Sequence, residues 1–240
     1  MSDPKALSVL IMVPTLNERE NIAALLTELL ALSIPALQIV VIDDQSSDGT
    51  AEAVERMIRL HPQALRLIRR QPPPGRGLAG REGFLDALKS TAQYWIEMDG
   101  DFSHQPRHVP QLLEAMKSCD VAVGSRFVQG GCDGRKAAAR RWLTLAANFY
   151  ARGLLNLPVA DVNSGFRCFS RKALESLAPQ SLKSRGPSIL HESLFRAARA
   201  GLRIREVPIE FVDRRGGESK LNGLRLGAGF FWVLKMRYLP

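Results

Sequence analysis

The chain has 240 residues, of which 45% are hydrophobic, so it can form one large soluble domain with a substantial core. Its net charge of +9 favours an anionic partner, which is nucleic acid, an acidic membrane surface or a phosphorylated substrate. Three cysteines without CxxC spacing support neither a disulfide framework nor a zinc site, and they favour a reducing cytoplasm. No apolar stretch reaches the roughly 18 residues of a membrane span, so we expect a soluble or peripheral protein.

Short Val- and Ile-rich runs alternate with segments of helical period in the first half of the chain. This alternation is typical of βαβ units, so we expect an α/β fold with a mostly parallel sheet flanked by helices. The predicted strands are 7–13, 37–43, 64–69, 94–98 and 120–124. The predicted helices are 20–32, a helix starting near 48, 77–90 and 106–118. The second half is predicted to be basic and largely helical, with a helix over 135–156, a strand over 166–170, a helix over 190–200 and a strand over 204–212.

Polar clusters follow three of the first four predicted strands. Asn17 and Glu18 follow the first, Asp43 and Asp44 end the second, and Asp99 and Asp101 follow the strand WIEM. Ligands of open parallel sheets bind beyond the carboxyl ends of the strands, so we expect these acids to gather at one binding edge.

The sequence DGD at 99–101 is the strongest candidate for a metal site. If the strand continues, Asp99 and Asp101 point the same way, and Gly100 leaves room for a ligand. Paired carboxylates suit Mg²⁺ or Mn²⁺, which leave coordination positions open for diphosphate oxygens. The alternative is an acidic turn that caps the strand, and the tripeptide alone favours neither reading.

Other signals narrow the choice of ligand. Asp48 precedes Gly and Thr and is expected to be a helix N-cap, whereas Asp44 can accept hydrogen bonds from a base or ribose. The first βα turn lacks GxGxxG, which argues against a dinucleotide cofactor. His104 and His108 have no further metal ligands nearby in the sequence, so surface or supporting roles are expected. No aromatic-interleaved basic motif supports nucleic-acid binding.

Six ordered motifs resemble the family 2 glycosyltransferases of GT-A fold, and more narrowly the dolichol or polyprenol phosphate mannosyltransferases. They are PTLNE, VIDDQSSDGT, MDGDFSHQP, DVAVGSRF, DVNSGFR and FVDRRGGESK, and they span about residues 8 to 222. Leu16 stands where the family usually has tyrosine, and Gly100 where it usually has alanine. The resemblance implies a GT-A domain over 1–223, followed by an amphipathic helix over 224–240.

The resemblance also implies roles for individual residues. The nucleoside pocket would be lined by Pro14, Leu16, Glu18, Ile42 and Asp44. The metal would be held by Asp99 and Asp101, with Gly100 and Ser103 at the diphosphate. The residues facing phosphates would be Arg126, Ser164, Arg214 and Lys220, and the catalytic residues would be Asp99, Asp101 and Arg126.

The basic second half suits an acceptor that is itself a phosphate. A lipid phosphate is largely ionised near neutral pH, since its second pKa is about 6, and needs no strong base before it attacks a sugar. Arginine forks would hold two anions close together, and the candidates are Arg126, Arg140 or Arg141, Arg167 and Arg214. For the stretch 135–141, a solvated basic helix face remains an equal alternative.

The expected activity is inverting transfer of mannose from GDP-mannose to a polyprenyl phosphate with Mg²⁺ or Mn²⁺. UDP-glucose as donor and a non-catalytic nucleotide-sugar or anionic-lipid binding module stay open as alternatives. The basic, aromatic segment 223–240 favours docking at the cytoplasmic face of a membrane, and its alternative is a helix packed on the core.

Overall fold

The computed structural model describes residues 7–135, 137–213 and 223–238. Its strands are β1 (Val9–Thr15), β2 (Leu37–Asp43), β3 (Leu65–Arg69), β4 (Tyr94–Glu97), β5 (Val121–Ser125), β6 (Cys132–Asp133), β7 (Arg167–Ser170), β8 (Ile204–Pro208) and β9 (Glu210–Phe211). Its α-helices are α1 (Arg19–Leu30), α2 (Thr50–Leu60), α3 (Arg76–Lys89), α4 (Val109–Ala115), α5 (Ala138–Leu155), α6 (Arg171–Leu177), α7 (Ile189–Arg199) and α8 (Gly223–Tyr238).

A seven-stranded sheet in the order β3-β2-β1-β4-β7-β5-β8 forms the centre of the protein. Strand β7 runs antiparallel to both of its neighbours, and the other pairs are parallel. Strands β6 and β9 pair in a second, two-stranded sheet. The predicted α/β fold with a mostly parallel sheet flanked by helices is therefore confirmed.

Two apolar layers cover the two faces of the sheet, and β1 shows how the sequence supplies both. Val9, Ile11 and Val13 pack into the layer with α1 and α4, whereas Leu10 and Met12 pack into the layer with α3, α6 and α7. Side chains alternate between the faces of a strand, so a strand covered by helices on both faces is continuously hydrophobic. The run VLIMV is such a strand and lies inside the sheet, between β2 and β4.

The second half differs in detail from the sequence expectation. Helix α6 was not anticipated, and the predicted strand 204–212 is split at Ile209 into β8 and β9, which pair with different sheets. Helix α8 packs against α5 and α7, burying Val233 and Met236, while Phe231 and Tyr238 on its other side stay exposed. Across the described residues, no helix has the length and apolar content that crossing a membrane requires.

Candidate active site

The carboxyl ends of β1, β2 and β4 bring the first three motifs together, because β1 lies between β2 and β4 in parallel register. The amide of Asp44 donates to the carbonyl oxygen of Thr15 at 2.9 Å. A Cβ atom on Gly100 would lie 3.7 Å from Cγ of Glu18 and 3.3 Å from Cγ2 of Thr15. The PTLNE turn therefore lies directly against the DGD sequence, as the shared edge predicts.

The DGD sequence forms a turn and not a continuation of β4. The strand ends at Glu97, and Phe102 has a left-handed backbone with φ of 62°. Oδ1 of Asp101 accepts hydrogen bonds from the amide (3.0 Å) and the hydroxyl (2.6 Å) of Ser103. The expectation that Asp99 and Asp101 point the same way depended on the strand continuing through both residues. The strand ends before them, so strand alternation does not set their directions.

Asp99 is surrounded by groups from distant parts of the chain. Nη2 of Arg76, at the start of α3, lies 2.6 Å from Oε1 of Glu97 and 3.4 Å from Oδ1 of Asp99. A Cβ atom on Gly165 would lie 3.1 Å from Oδ2 of Asp99, so the NSGFR loop packs against this carboxylate. The Asp99 side chain remains 37% exposed. A ligand can therefore reach it from solvent.

The buried side chain of His104 binds the backbone of the DGD turn. Its ring is 1% exposed, and Nδ1 accepts the amide hydrogen of Asp99 at 3.3 Å, so the proton of the neutral ring resides on Nε2. Burial lowers the pKa of His104 against the opposing effect of the Asp99 carboxylate. His104 therefore has the supporting role that the sequence predicts.

The residues predicted to line a nucleoside pocket differ in accessibility. Asp44 forms an ion pair with Arg70 and accepts the amide hydrogen of Gly75 at 2.6 Å, which ties the β3–α3 loop to the site. Leu16 and Glu18 are partly exposed, whereas Pro14 is buried. Ile42 is fully buried and packs towards α3, so the structure places it in the core and not at a pocket surface.

Asp48 joins the first two helices. Helix α2 begins at Thr50, whose amide donates to Oδ1 of Asp48 at 2.9 Å, while Oδ2 accepts the amide hydrogen of Arg19 at 3.0 Å. One carboxylate thus accepts a hydrogen bond from the first residue of both helices, where backbone N–H groups lack partners within the helix. The predicted N-cap position is wrong by one residue, because Gly49 is the N-cap of α2; Asp48 precedes it and accepts the amide hydrogen of the first residue of each helix.

Three residues predicted to face phosphates are buried. Arg126 is 7% exposed, and its Nε and Nη2 each donate to Asp161 at 2.7 Å, so its donor fork already holds a carboxylate. Arg167 is fully buried and donates to the carbonyl oxygens of Leu190 (2.6 Å) and Val162. Ser164 is 3% exposed, and its hydroxyl accepts the amide hydrogen of Phe166. Each of these side chains therefore has partners inside the protein, and its predicted role at a phosphate remains a prediction.

The other basic candidates are placed only in part. Arg141 lies on the exposed side of α5, and Arg140 belongs to the same helix. Arg214 and Lys220 lie outside the described residues.

The acidic turn fits a hard divalent ion that takes some of its ligands from the protein and the rest from a bound substrate. Within 7–135, 137–213 and 223–238, no three His, Cys, Asp or Glu side chains are grouped as a metal site. Asp99 and Asp101 instead offer two carboxylates beside an exposed edge, which suits an ion completed by diphosphate oxygens and water. The predicted roles of both residues as metal ligands remain predictions.

Comparison with known proteins decides the family. The model of "Glycosyl transferase family 2" matches residues 10–178. The chain belongs to this family. It is 35% identical to undecaprenyl-phosphate mannosyltransferase of Micrococcus luteus over 90% of this chain and 88% of that protein. It is 33% identical to polyprenol monophosphomannose synthase of Mycolicibacterium smegmatis over 93% of this chain and 84% of that protein.

The fold of this glycosyltransferase is also found in solved structures. Glucosyl-3-phosphoglycerate synthase of Mycobacterium tuberculosis in complex with phosphoglyceric acid has a TM-score of 0.69 at 20% identity, over 97% of this chain and 81% of that one. The same enzyme in complex with Mn²⁺, uridine diphosphate and glucosyl-3-phosphoglycerate has a TM-score of 0.67 with the same identity and coverage. The predicted GT-A fold is therefore confirmed.

Several residues that shape the site were missed by sequence reasoning. Glu97 is 1% exposed and is held by Arg76, and Asp161 is fully buried against Arg126. A glutamate inside the apolar run YWIEM was a visible signal that a cation lies opposite, because a buried carboxylate needs a partner. Nothing in the sequence, however, identifies which arginine supplies it.

Proposed function

We propose that this glycosyltransferase moves mannose from GDP-mannose to a polyprenyl phosphate and uses Mg²⁺ or Mn²⁺. The observation that carries the proposal is the convergence of Glu18, Asp44, Asp99 and Gly165, from four separate motifs, at one edge of the sheet, where Asp44 is buried and Asp99 stays exposed. Relatives that match about nine-tenths of the chain bear the names of undecaprenyl-phosphate mannosyltransferase and polyprenol monophosphomannose synthase.

In this proposal, Glu18 and Asp44 orient the nucleoside, and Asp99 and Asp101 hold the cation and the donor diphosphate. When bound, the divalent ion would supply positive charge that stabilises the departing nucleoside diphosphate. The acceptor phosphate is already ionised near pH 7, since its second pKa is about 6, so the protein need not remove a proton from it. The protein instead brings two anions together, and in-line attack inverts the anomeric carbon.

Access to a lipid acceptor is proposed to come through α5 and α8. Four aromatic side chains on these two helices are strongly exposed: Trp142 (72%), Phe149 (84%), Phe231 (69%) and Tyr238 (76%). The helices pack against each other and contain no acidic residue, whereas Arg141, Arg152 and Lys235 are exposed on them. Basic helices with exposed aromatic side chains bind anionic membrane surfaces. We therefore place the enzyme peripherally at the cytoplasmic face of a membrane.

The test of the reaction is transfer of radiolabelled sugar into organic-extractable polyprenyl phosphate. Parallel reactions contain GDP-mannose, UDP-glucose or another nucleotide sugar, each with Mn²⁺, Mg²⁺ or a chelator. We expect transfer from GDP-mannose that the chelator abolishes. Transfer only from UDP-glucose would show that UDP-glucose and not GDP-mannose is the donor. The absence of transfer from every donor would overturn the proposal.

Calorimetry separates an enzyme site from a simple binding module. Titration of GDP with Mn²⁺ into the wild type and Asp101→Ala is expected to show at least tenfold weaker binding by the variant. Unchanged affinity would remove Asp101 from the metal site. Binding without transfer of any sugar would favour the non-catalytic alternative.

Membrane docking has its own test. Sedimentation with anionic liposomes at low salt is compared for the wild type, the double variant Trp142→Ser with Phe149→Ser, and Leu60→Ser. Leu60 is a suitable control because it is 72% exposed but lies on α2, away from the proposed docking surface. We expect the double variant to lose most binding and Leu60→Ser to keep it. Equal binding by all three proteins would exclude this surface.

A further inference from the structure

Phe211 lies where the acidic turn meets two arginines, of which Arg126 is buried and Arg135 is partly exposed. The centroid of its ring is 4.8 Å from Cζ of Arg126 and 5.4 Å from Cζ of Arg135. The ring also meets His104 edge-on, with centroids 5.3 Å apart and an angle of 72° between the planes. Two guanidinium groups and the imidazole beneath Asp99 therefore share one aromatic side chain.

The two guanidinium groups are held at their edges by carboxylates. Arg126 is bound to Asp161, and Nε of Arg135 donates to Oδ1 of Asp133 at 2.8 Å. A guanidinium that uses its N–H edge for a carboxylate still offers its flat face to an aromatic ring. Phe211 lies against both guanidinium groups, and the ring of Phe127 lies 5.1 Å from Cζ of Arg126 as well.

The backbone around Phe211 is bound to the same parts of the site. The amide of Val212 donates to the carbonyl oxygen of Ser103 at 3.2 Å, and Ser103 in turn binds Asp101. On the other side, the amide of Gly134 donates to the carbonyl oxygen of Phe211 at 2.8 Å. The backbone that carries this ring is therefore bonded both to the DGDFSH turn and to the residue that follows β6.

We propose that Phe211 is a positioning residue for the glycosyl transfer. It fixes the acidic turn relative to Arg126 and Arg135 and so sets the alignment of the reacting groups, without contacting substrate. The inference rests on the proposed function, because it concerns the geometry of that reaction. Misalignment of about 1 Å can slow a reaction by up to about 10²-fold while ground-state binding is retained.

Steady-state kinetics of Phe211→Leu, Phe211→Tyr and the control Phe195→Leu test this role. Phe195 is a suitable control because it lies on α7, outside the site, and also contacts an arginine. Cζ of Arg199 is 5.7 Å from the centroid of its ring. For Phe211→Leu we expect kcat to fall about tenfold with the donor KM within about twofold, because alignment is lost and donor contacts stay. Phe211→Tyr, which keeps the ring, should retain at least half of kcat, and Phe195→Leu should match the wild type.

A second readout does not depend on the reaction. The side-chain Nε–H resonances of Arg126 and Arg135 in ¹H–¹⁵N spectra should carry a ring-current shift that Phe211→Leu removes and Phe211→Tyr keeps. If Phe211→Leu does not fold, Arg135→Met takes its place and is expected to lower kcat about threefold.

The outcomes separate the two proposals. Loss of the ring-current shift without a fall in kcat would overturn the positioning role, as would equal kcat values for the Leu and Tyr variants. Absence of ring-current shifts in the wild type would overturn the contact itself. Wild-type protein that keeps the shifts but transfers no sugar would refute the proposed function, and the positioning role in transfer would fall with it.

Discussion

The ion pair between Arg126 and Asp161 gives the most direct test of how this site is held together. Its side chains are 5% and 0% exposed, and Asp161 also accepts the backbone amide hydrogen of Arg126 at 3.1 Å. The substitution Asp161→Asn keeps the shape and one acceptor oxygen but removes the charge. It leaves a buried guanidinium without its counterion.

The magnitude follows from the burial of both partners. Removing one partner of a buried pair costs about 3–5 kcal/mol, and we expect about 3 kcal/mol because asparagine keeps one acceptor. In a chain of this size each kcal/mol lowers Tm by about 2–4 °C, so Asp161→Asn should lower it by roughly 6–12 °C.

Thermal unfolding followed by circular dichroism at pH 7 measures the effect. The control is Glu175→Gln, since the Glu175 side chain is 60% exposed where its carboxylate pairs with Arg171. Exposed ion pairs contribute about 0–1 kcal/mol to the free energy of unfolding, so the control substitution should lower Tm by no more than about 4 °C. Equal losses in the two variants would refute the argument that burial makes the Asp161 pair important.

Three other predictions concern charge and close packing. Burial, aided by a nearby guanidinium, holds the pKa of His191 at about 4, below its ordinary 6.5, so the wild type should lose stability as pH falls from about 6.5 to 4. His191→Gln should show a shallower loss of Tm over this range, and an unchanged slope would contradict it. Gly77→Ala should destabilise by more than about 2 kcal/mol, because the added Cβ would lie 2.3 Å from a backbone oxygen, whereas Gly153→Ala on α5 meets nothing within 4 Å and should raise Tm. Gly165→Ala should weaken binding of Mn²⁺ with GDP by displacing the Asp99 carboxylate, with Tm changed by less than about 3 °C; full affinity would exclude this contact.

Local patterns in the sequence predicted most of the fold. Alternating apolar runs and amphipathic segments predicted β1 to β5 and the helices of the first half, because burial against helices on both faces requires this pattern. The short α6 was missed, and the break at Ile209 was also missed. The Ser170 N-cap was a local signal for α6, whereas the break depends on which sheet each half of the segment joins, and the pattern of one segment does not contain that information.

The same limit applies to the site. The sequence by itself determined that acids collect beyond strand ends, since parallel strands place their carboxyl ends at one edge. Only the tertiary structure decided which charges neutralise each other. Arg126 and Arg167 look alike as basic residues in motifs, yet each is buried with partners of its own, Asp161 for one and backbone carbonyls for the other. The reason is that desolvation and hydrogen bonding depend on neighbours distant in the chain, which only folding brings within bonding distance.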